Sequence, residues 1–219
     1  MSLITIERKV LEKNDDVAAT NRVRFKKQGL FVFNLVSSPG AGKTSLLEAI
    51  LREAKGRVPI GVIEGDVQTD LDAQRVARFG VPAVQIVTRG GCHLDATLVQ
   101  QALAAMDLSP LKVLVIENVG NLVCPANYDL GEDLKVVVLS TTEGDDKPLK
   151  YPAMFRNASV LIINKVDLLP YVPCDIEAMK HNARQINPDL LIFETSATTG
   201  RGIGALVEWI CTRAERGDA

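Results

Sequence analysis

The chemistry-bearing residues of this chain begin with Ser37-Ser38-Pro39-Gly40-Ala41-Gly42-Lys43-Thr44, preceded by the apolar run of residues 30 to 36. Gly40 and Gly42 let the backbone curl so that its N–H groups face an anion, and Thr44 to Leu51 reads as a helix starting at that point. A helix start carries unpaired N–H groups and a positive dipole end, which suits phosphates. Lys43 would reach between the β- and γ-phosphates and the Thr44 hydroxyl would hold Mg²⁺. The residues expected around a nucleotide here are Ser38, Pro39, Gly40, Ala41, Gly42, Lys43, Thr44 and Ser45. Ser37 stands where such loops usually carry their first glycine, so the turn must be made without one there.

Four further groups could serve the same nucleotide. Asp66, after the apolar stretch 59–64, and Glu117, closing the apolar stretch 113–116, each bring a carboxylate suited to Mg²⁺, which takes one or two carboxylates together with phosphate oxygens. Asp66 is also the candidate for positioning an attacking water, and Gly120 lets backbone approach a γ-phosphate. In Asn164-Lys165-Val166-Asp167 a carboxylate can accept from the N1–H and exocyclic amine of guanine, an edge that adenine does not present. The Lys165 stem can lie over the base, and Ser196 and Ala197 can offer backbone N–H groups to the guanine oxygen.

A second set is Cys92, His93 and Cys124. Thiolate and imidazole suit Ni²⁺ or Zn²⁺, and three protein ligands leave a position open for exchange. Cys92 and His93 are adjacent, and neighbours point apart in extended chain, so closing on one ion could require a second subunit across a two-fold axis. Cys92 and Cys124 could also be small buried hydrophobes. Core packing is expected for Cys211, and no constellation surrounds Cys174 or His181.

These residues need a scaffold. Apolar runs at 30–36, 59–64, 83–87, 113–116, 134–139, 160–163 and 190–193 alternate with helical patterns at 44–51, 70–79, 94–105, 175–186 and 202–216. Strands alternating with helical crossovers predict an α/β, three-layer P-loop NTPase fold, with a mostly parallel central sheet covered on both faces. Ligands of such a sheet sit beyond the carboxyl ends of its strands, where every candidate group falls. Residues 1–29 are expected as a helical extension, with Ile6, Val10, Val17 and Val23 on its apolar side and Arg22, Arg24, Lys26 and Lys27 on a solvated edge. Residues 30–219 form one domain.

With 219 residues, 47% of them hydrophobic, the chain can bury one substantial core. A formal charge of −2, from 25 Lys and Arg against 27 Asp and Glu, gives no electrostatic case for nucleic acid or an anionic membrane. No segment approaches the roughly 18 apolar residues of a membrane span, nothing near Met1 reads as a signal peptide, and four dispersed cysteines argue for free thiols. The expected location is cytoplasmic.

Taken together, these motifs resemble the dimerising P-loop GTPases that include signal-recognition and metal-insertion proteins. The stretches Val36 to Thr44, Cys92-His93-Leu94-Asp95-Ala96, Glu117 to Pro125 and Asp146-Lys147-Pro148-Leu149-Lys150-Tyr151-Pro152 resemble the HypB family of [NiFe]-hydrogenase maturation. The resemblance implies GTP hydrolysis to GDP with Mg²⁺, Ni²⁺ or Zn²⁺ held through Cys92, His93 and Cys124, and a homodimer. It also implies a HypA-type nickel chaperone and the hydrogenase large-subunit precursor as partners. Lys43, Asp66 and Glu117 would carry catalysis. No cysteine motif or histidine-rich tract precedes residue 30, so no separate nickel site is expected there. The rivals are a urease or cobalamin-enzyme chaperone, a small-molecule P-loop kinase, and a module that binds nucleotide without hydrolysing it.

Overall fold

The computed structural model describes residues 6–67 and 75–216, and the side chains described begin at Val10. Seven strands form one sheet in the order β3-β2-β4-β1-β5-β6-β7, with every pairing parallel. They are β1 (Phe31–Ser37), β2 (Ile60–Asp66), β3 (Ala83–Val87), β4 (Val113–Glu117), β5 (Leu134–Ser140), β6 (Val160–Asn164) and β7 (Leu191–Glu194). The α/β architecture expected from the sequence is the one observed. β1, β4, β5 and β6 are buried along their whole length, which is why they read as continuous apolar runs rather than alternating ones.

Helices α1 (Ile6–Gln28), α2 (Lys43–Ala54), α3 (Ala96–Ala104), α4 (Lys147–Lys150), α5 (Pro152–Arg156), α6 (Ile176–Ile186) and α7 (Ile203–Arg216) cover the sheet. On one face Phe31, Phe33 and Leu35 of β1 pack with Leu46, Leu47 and Ile50 of α2 and Leu206 and Ile210 of α7. On the other, Val32 joins Phe25, Leu94, Leu103 and Ile116, while Val36 joins Leu139, Phe155, Ile163 and Met179. Burying each of these large apolar side chains contributes about 1.5–3 kcal/mol, which favours β1 at the centre.

The helix expected at 94–105 starts later, because the Asp95 carboxylate caps it by accepting from Leu98 N at 2.8 Å. Of the helix expected at 70–79, residues 70–74 lie outside the described residues and 75–77 are helical. The short helices α4 and α5 and the 3-10 turns Cys124–Asn127 and Val166–Tyr171 were not anticipated.

α1 corrects the expected face. Val10 and Val23 are 49% and 67% exposed, and the buried stripe is Asn14, Ala18, Asn21 and Phe25. What α1 covers is mainly backbone. Asn14 donates to Asp129 O and accepts from Ala96 N, and Asn21 donates to Ala96 O and Leu130 O. Side-chain amides satisfy those groups where aliphatic side chains would strand them. The basic edge is only partly solvated: Arg22 grips both Asp129 oxygens at 2.7 Å, and Arg24 donates to Leu103 O.

Candidate nucleotide and metal site

The central strand delivers the glycine-rich loop. Ser37 is fully buried and still in β1, so its backbone has no need of a glycine, and its hydroxyl accepts from Lys43 Nζ at 3.1 Å. The turn is made further on, at Gly40 (φ 79°) and Gly42 (φ 90°), and a side chain at Gly42 would meet the Asn164 amide at 2.9 Å. α2 then starts at Lys43. Thr44 Oγ1 donates to Glu117 Oε1 at 2.8 Å, and Lys43 Nζ lies 4.0 Å from the same oxygen. Asp66, at the end of β2, accepts from Val67 N. Gly120 lies against Pro39, where a Cβ would come within 3.2 Å of its Cα.

Between these groups is a cavity of about 430 Å³, bordered by Pro39, Gly40, Gly42, Lys43, Thr44, Ser45, Asp66, Arg75, Glu117 and Gly120. Ala41 and Ser38 point their side chains into the protein instead: Ala41 is buried in the core and the Ser38 hydroxyl donates to Glu143. Only their backbone can face a phosphate. Arg75, which the sequence did not single out, donates from Nε to Glu48 Oε1 at 2.8 Å.

The base side is tied to this loop before any base arrives. Asn164, at the end of β6, donates to Ala41 O and accepts from Thr195 Oγ1 and Ala197 N. Lys165 takes a left-handed conformation (φ 60°), which aims Nζ at Gly40 O, 2.7 Å away, and lays its stem along the loop. Asp167 is half-buried on the rim. The backbone donors of residues 195–197 are already engaged within the protein, Thr195 N with Ile163 O, Ser196 N with Arg201 O and Ala197 N with Asn164 Oδ1, and Ala197 is the half-exposed one of the three. Glu143 was missed by sequence. It joins Ser38 Oγ to Ser140 N, and burial pushes its carboxyl up despite Lys147, Lys165 and Lys43 nearby.

At the other end of the rim the donor atoms of Cys92, His93 and Cys124 lie within 4.8 Å of one another, the one such group of three among the described residues. The expectation that Cys92 and His93 point apart does not hold. Arg89 (φ 49°) and Gly90 (φ 101°) make a turn closed by Gly91 N to Thr88 O, so the chain is bent and Cys92 Sγ sits 3.5 Å from His93 Nδ1. One chain therefore brings three donors together. Cys92 is exposed and Cys124 half-exposed, which sets aside the buried-hydrophobe alternative for this pair. Cys174 and Cys211 pack against core clusters.

A hydrogen bond with Cys124, and burial after it, push the Cys92 thiol up, while burial pulls the His93 imidazole below its ordinary value against the pull of Asp95. A neutral imidazole beside paired thiols is a donor set suited to a borderline or soft divalent ion. Tyr128 packs against His93 with ring centroids 4.0 Å apart and the rings tilted by 45°. Beneath Cys124, the buried Lys135 ammonium donates to Pro125 O, Ala126 O and Tyr128 O and so pins the 3-10 turn. A lysine inside the apolar run 134–139 was the sequence signal for it.

A wholly parallel sheet, a glycine-rich loop after its central strand and an Asn-Lys-x-Asp loop beyond β6 define a P-loop nucleotide-binding protein. The family described as CobW/HypB/UreG, nucleotide-binding domain, matches residues 31–194. A hydrogenase maturation factor HypB of Azotobacter vinelandii is 55% identical over 208 residues, spanning 95% of this chain and 69% of the relative. The crystal structure of HypB from Helicobacter pylori in complex with nickel superposes with a TM-score of 0.89 at 38% identity, covering 93% of this chain and 96% of that one. HypB from Archaeoglobus fulgidus gives 0.87 at 40%, covering 93% and 100%. The chain belongs to the CobW/HypB/UreG family, in its HypB group of hydrogenase maturation factors.

Proposed function

We propose that this protein uses GTP to control a nickel site in hydrogenase maturation, with Cys92, His93 and Cys124 as the metal ligands. Family membership makes it a GTPase involved in hydrogenase maturation. The observation that carries the finer reading is that the three donors converge within 4.8 Å on the same sheet rim as the phosphate-binding loop. Nickel is the cargo. A set of two thiols and an imidazole fits Ni²⁺ or Zn²⁺.

Lys43 holds the β- and γ-phosphates and offsets charge as the phosphoryl group leaves, and Asp66 orients the attacking water. Asp167 and Lys165 read the guanine, with Ser196 and Ala197 beside it. The Thr44 hydroxyl, Glu117 and Asp66 fit Mg²⁺, which when bound neutralises phosphate charge. Glu117 meets Thr44 directly, so a change at the phosphates reaches the end of β4, beside the metal ligands. The active form is a homodimer in the cytoplasm, receiving nickel from a HypA-type chaperone and delivering it toward the hydrogenase large-subunit precursor. No described helix is long and apolar enough to cross a membrane.

Nickel titrations of wild type and Cys92→Ala, apo and with GDP or a non-hydrolysable GTP analogue, read alongside oligomer mass, test this. Tight binding by wild type that depends on the nucleotide and is lost in the variant is expected. Equal binding by both proteins in every state would remove the metal role and leave the GTPase.

A further inference from the structure

Three buried polar groups around the metal loop have no part in the chemistry proposed above: Lys135, Glu132 and Asn118, the last of which also borders the phosphate cavity. The first two hold the Cys124 loop still. Lys135 pins residues 125–128, and Glu132 accepts from Leu130 N at 2.6 Å and from the Asn34 amide at 3.2 Å. Asn118 is placed differently. It follows Glu117 directly, it is 1% exposed, and its side chain crosses from one loop to another.

Asn118 Oδ1 accepts from Val119 N at 2.9 Å in its own loop and from Leu94 N at 3.0 Å in the loop after β3. Both partners are backbone donors, so only the amide oxygen can face them, and the NH₂ is left to donate to Asn34 Oδ1 at 3.3 Å. Leu94 is the residue after His93. It is gripped a second time by contact: a Cβ on Gly65 would lie 2.8 Å from its side chain, and Gly65 immediately precedes Asp66. The strand ends that carry both acids thus close on one residue, by a hydrogen bond from Asn118 after Glu117 and by packing of Gly65 before Asp66.

We infer that Asn118 is the positioning residue that carries nucleotide state to the metal ligands, by moving Leu94 and with it His93 against a stationary Cys124. The inference rests on the reading of a nucleotide-controlled metal site. What it adds is the route and its asymmetry. One ligand is anchored to the static part of the fold through Lys135 and Glu132, and His93 is attached to the loops that meet the phosphates. A shift of Glu117 changes the separation of the ligands and not just the position of the site as a whole. Buried hydrogen bonds and close packing transmit such shifts because they have few intermediate arrangements.

The test compares nickel affinity in GDP with that in a non-hydrolysable GTP analogue, for wild type and Asn118→Ala, and its readout is the ratio, which cancels any loss common to both states. Wild type should change about fivefold or more between nucleotides, and the variant should stay within about twofold of no change. A variant that keeps the wild-type ratio overturns the role of Asn118 and leaves the coupled reading in place. A wild-type ratio of one removes that reading and this inference together. The variant leaves the N–H groups of Leu94 and Val119 buried without an acceptor, so exchange of the Leu94 amide is followed in wild type as well. Protection that changes about fivefold or more between the two nucleotides supports the route, and unchanged protection overturns it whether or not the variant folds.

Discussion

The two halves of the sheet rim are built differently. On the base side, the loops after β1, β5, β6 and β7 hold one another through Asn164 to Ala41, Lys165 to Gly40, Thr141 to Lys165, Ser38 to Glu143 and Ala197 to Asn164. On the metal side, the loop after β3 is curled locally by Thr88 and Gly91, exposes Cys92, and reaches the neighbouring loop through the side chains of Asn118 and Asn121. The half proposed for the base is assembled in advance, so binding there would cost little ordering. The metal half hangs from a few contacts to the acid loops, which is where a switch has to be if phosphate chemistry is to be felt elsewhere.

Substitutions should separate the halves. The largest effect is expected from Lys43→Ala, which removes the cation at the phosphates and should lower the rate of GTP hydrolysis by about 10²–10³-fold in a phosphate-release assay. Its side chain meets Ser37 and Glu117, both beside the cavity, so the thermal melt should stay near that of wild type. Cys124→Ala should lower nickel affinity by at least about 100-fold, more than loss of a supporting contact gives, while changing metal-free GDP affinity far less. A similar fall in both affinities would break the division between the halves.

Asp167→Asn should weaken GTP by about 10- to 100-fold, the worth of hydrogen bonds to a charged group, and leave ATP binding unchanged. Equal losses for the two nucleotides would mean that Asp167 supports the loop and does not read the base.

The smallest effect concerns the anchor of the metal half. Burial acts to raise the Asp129 carboxyl, but the Arg22 guanidinium and the Gly131 N–H outweigh it and hold it below its ordinary value. A carboxyl depressed on folding contributes stability above its unfolded value, near pH 4, and loses it as pH falls through the lowered folded value. Melts between about pH 6 and 3 should show an acid-side decline that is shallower in Asp129→Asn. An unchanged slope would take the pair out of the stability of α1.

Much of this was legible in the sequence because the inner strands β1, β4, β5 and β6 are covered on both faces and the site loops follow the strands directly. An apolar run buried on both sides announces itself, and the residue types that end it fix the chemistry at the rim. What was not legible depends on partners distant in the chain. The inner face of α1 is Asn14 and Asn21, because it meets backbone at Ala96 and residues 129–130, and no periodicity of Val10, Val17 and Val23 could show that. Asn118, Glu143 and Lys135 act through backbone groups or serines supplied by other loops. The closure of Cys92 on His93 needed the left-handed turn at Arg89 and Gly90, where only the glycine was a visible sign.

Reciprocity supplies the most direct test of the central claim, that guanine nucleotide and metal sense one another across this rim. If nucleotide state changes nickel affinity, nickel must change the preference between GDP and a GTP analogue by the same factor. Affinities for the two nucleotides, measured by calorimetry with and without saturating Ni²⁺, should differ in ratio by about fivefold or more, and by the factor found in the nickel titrations. An identical ratio with and without Ni²⁺ would contradict the account.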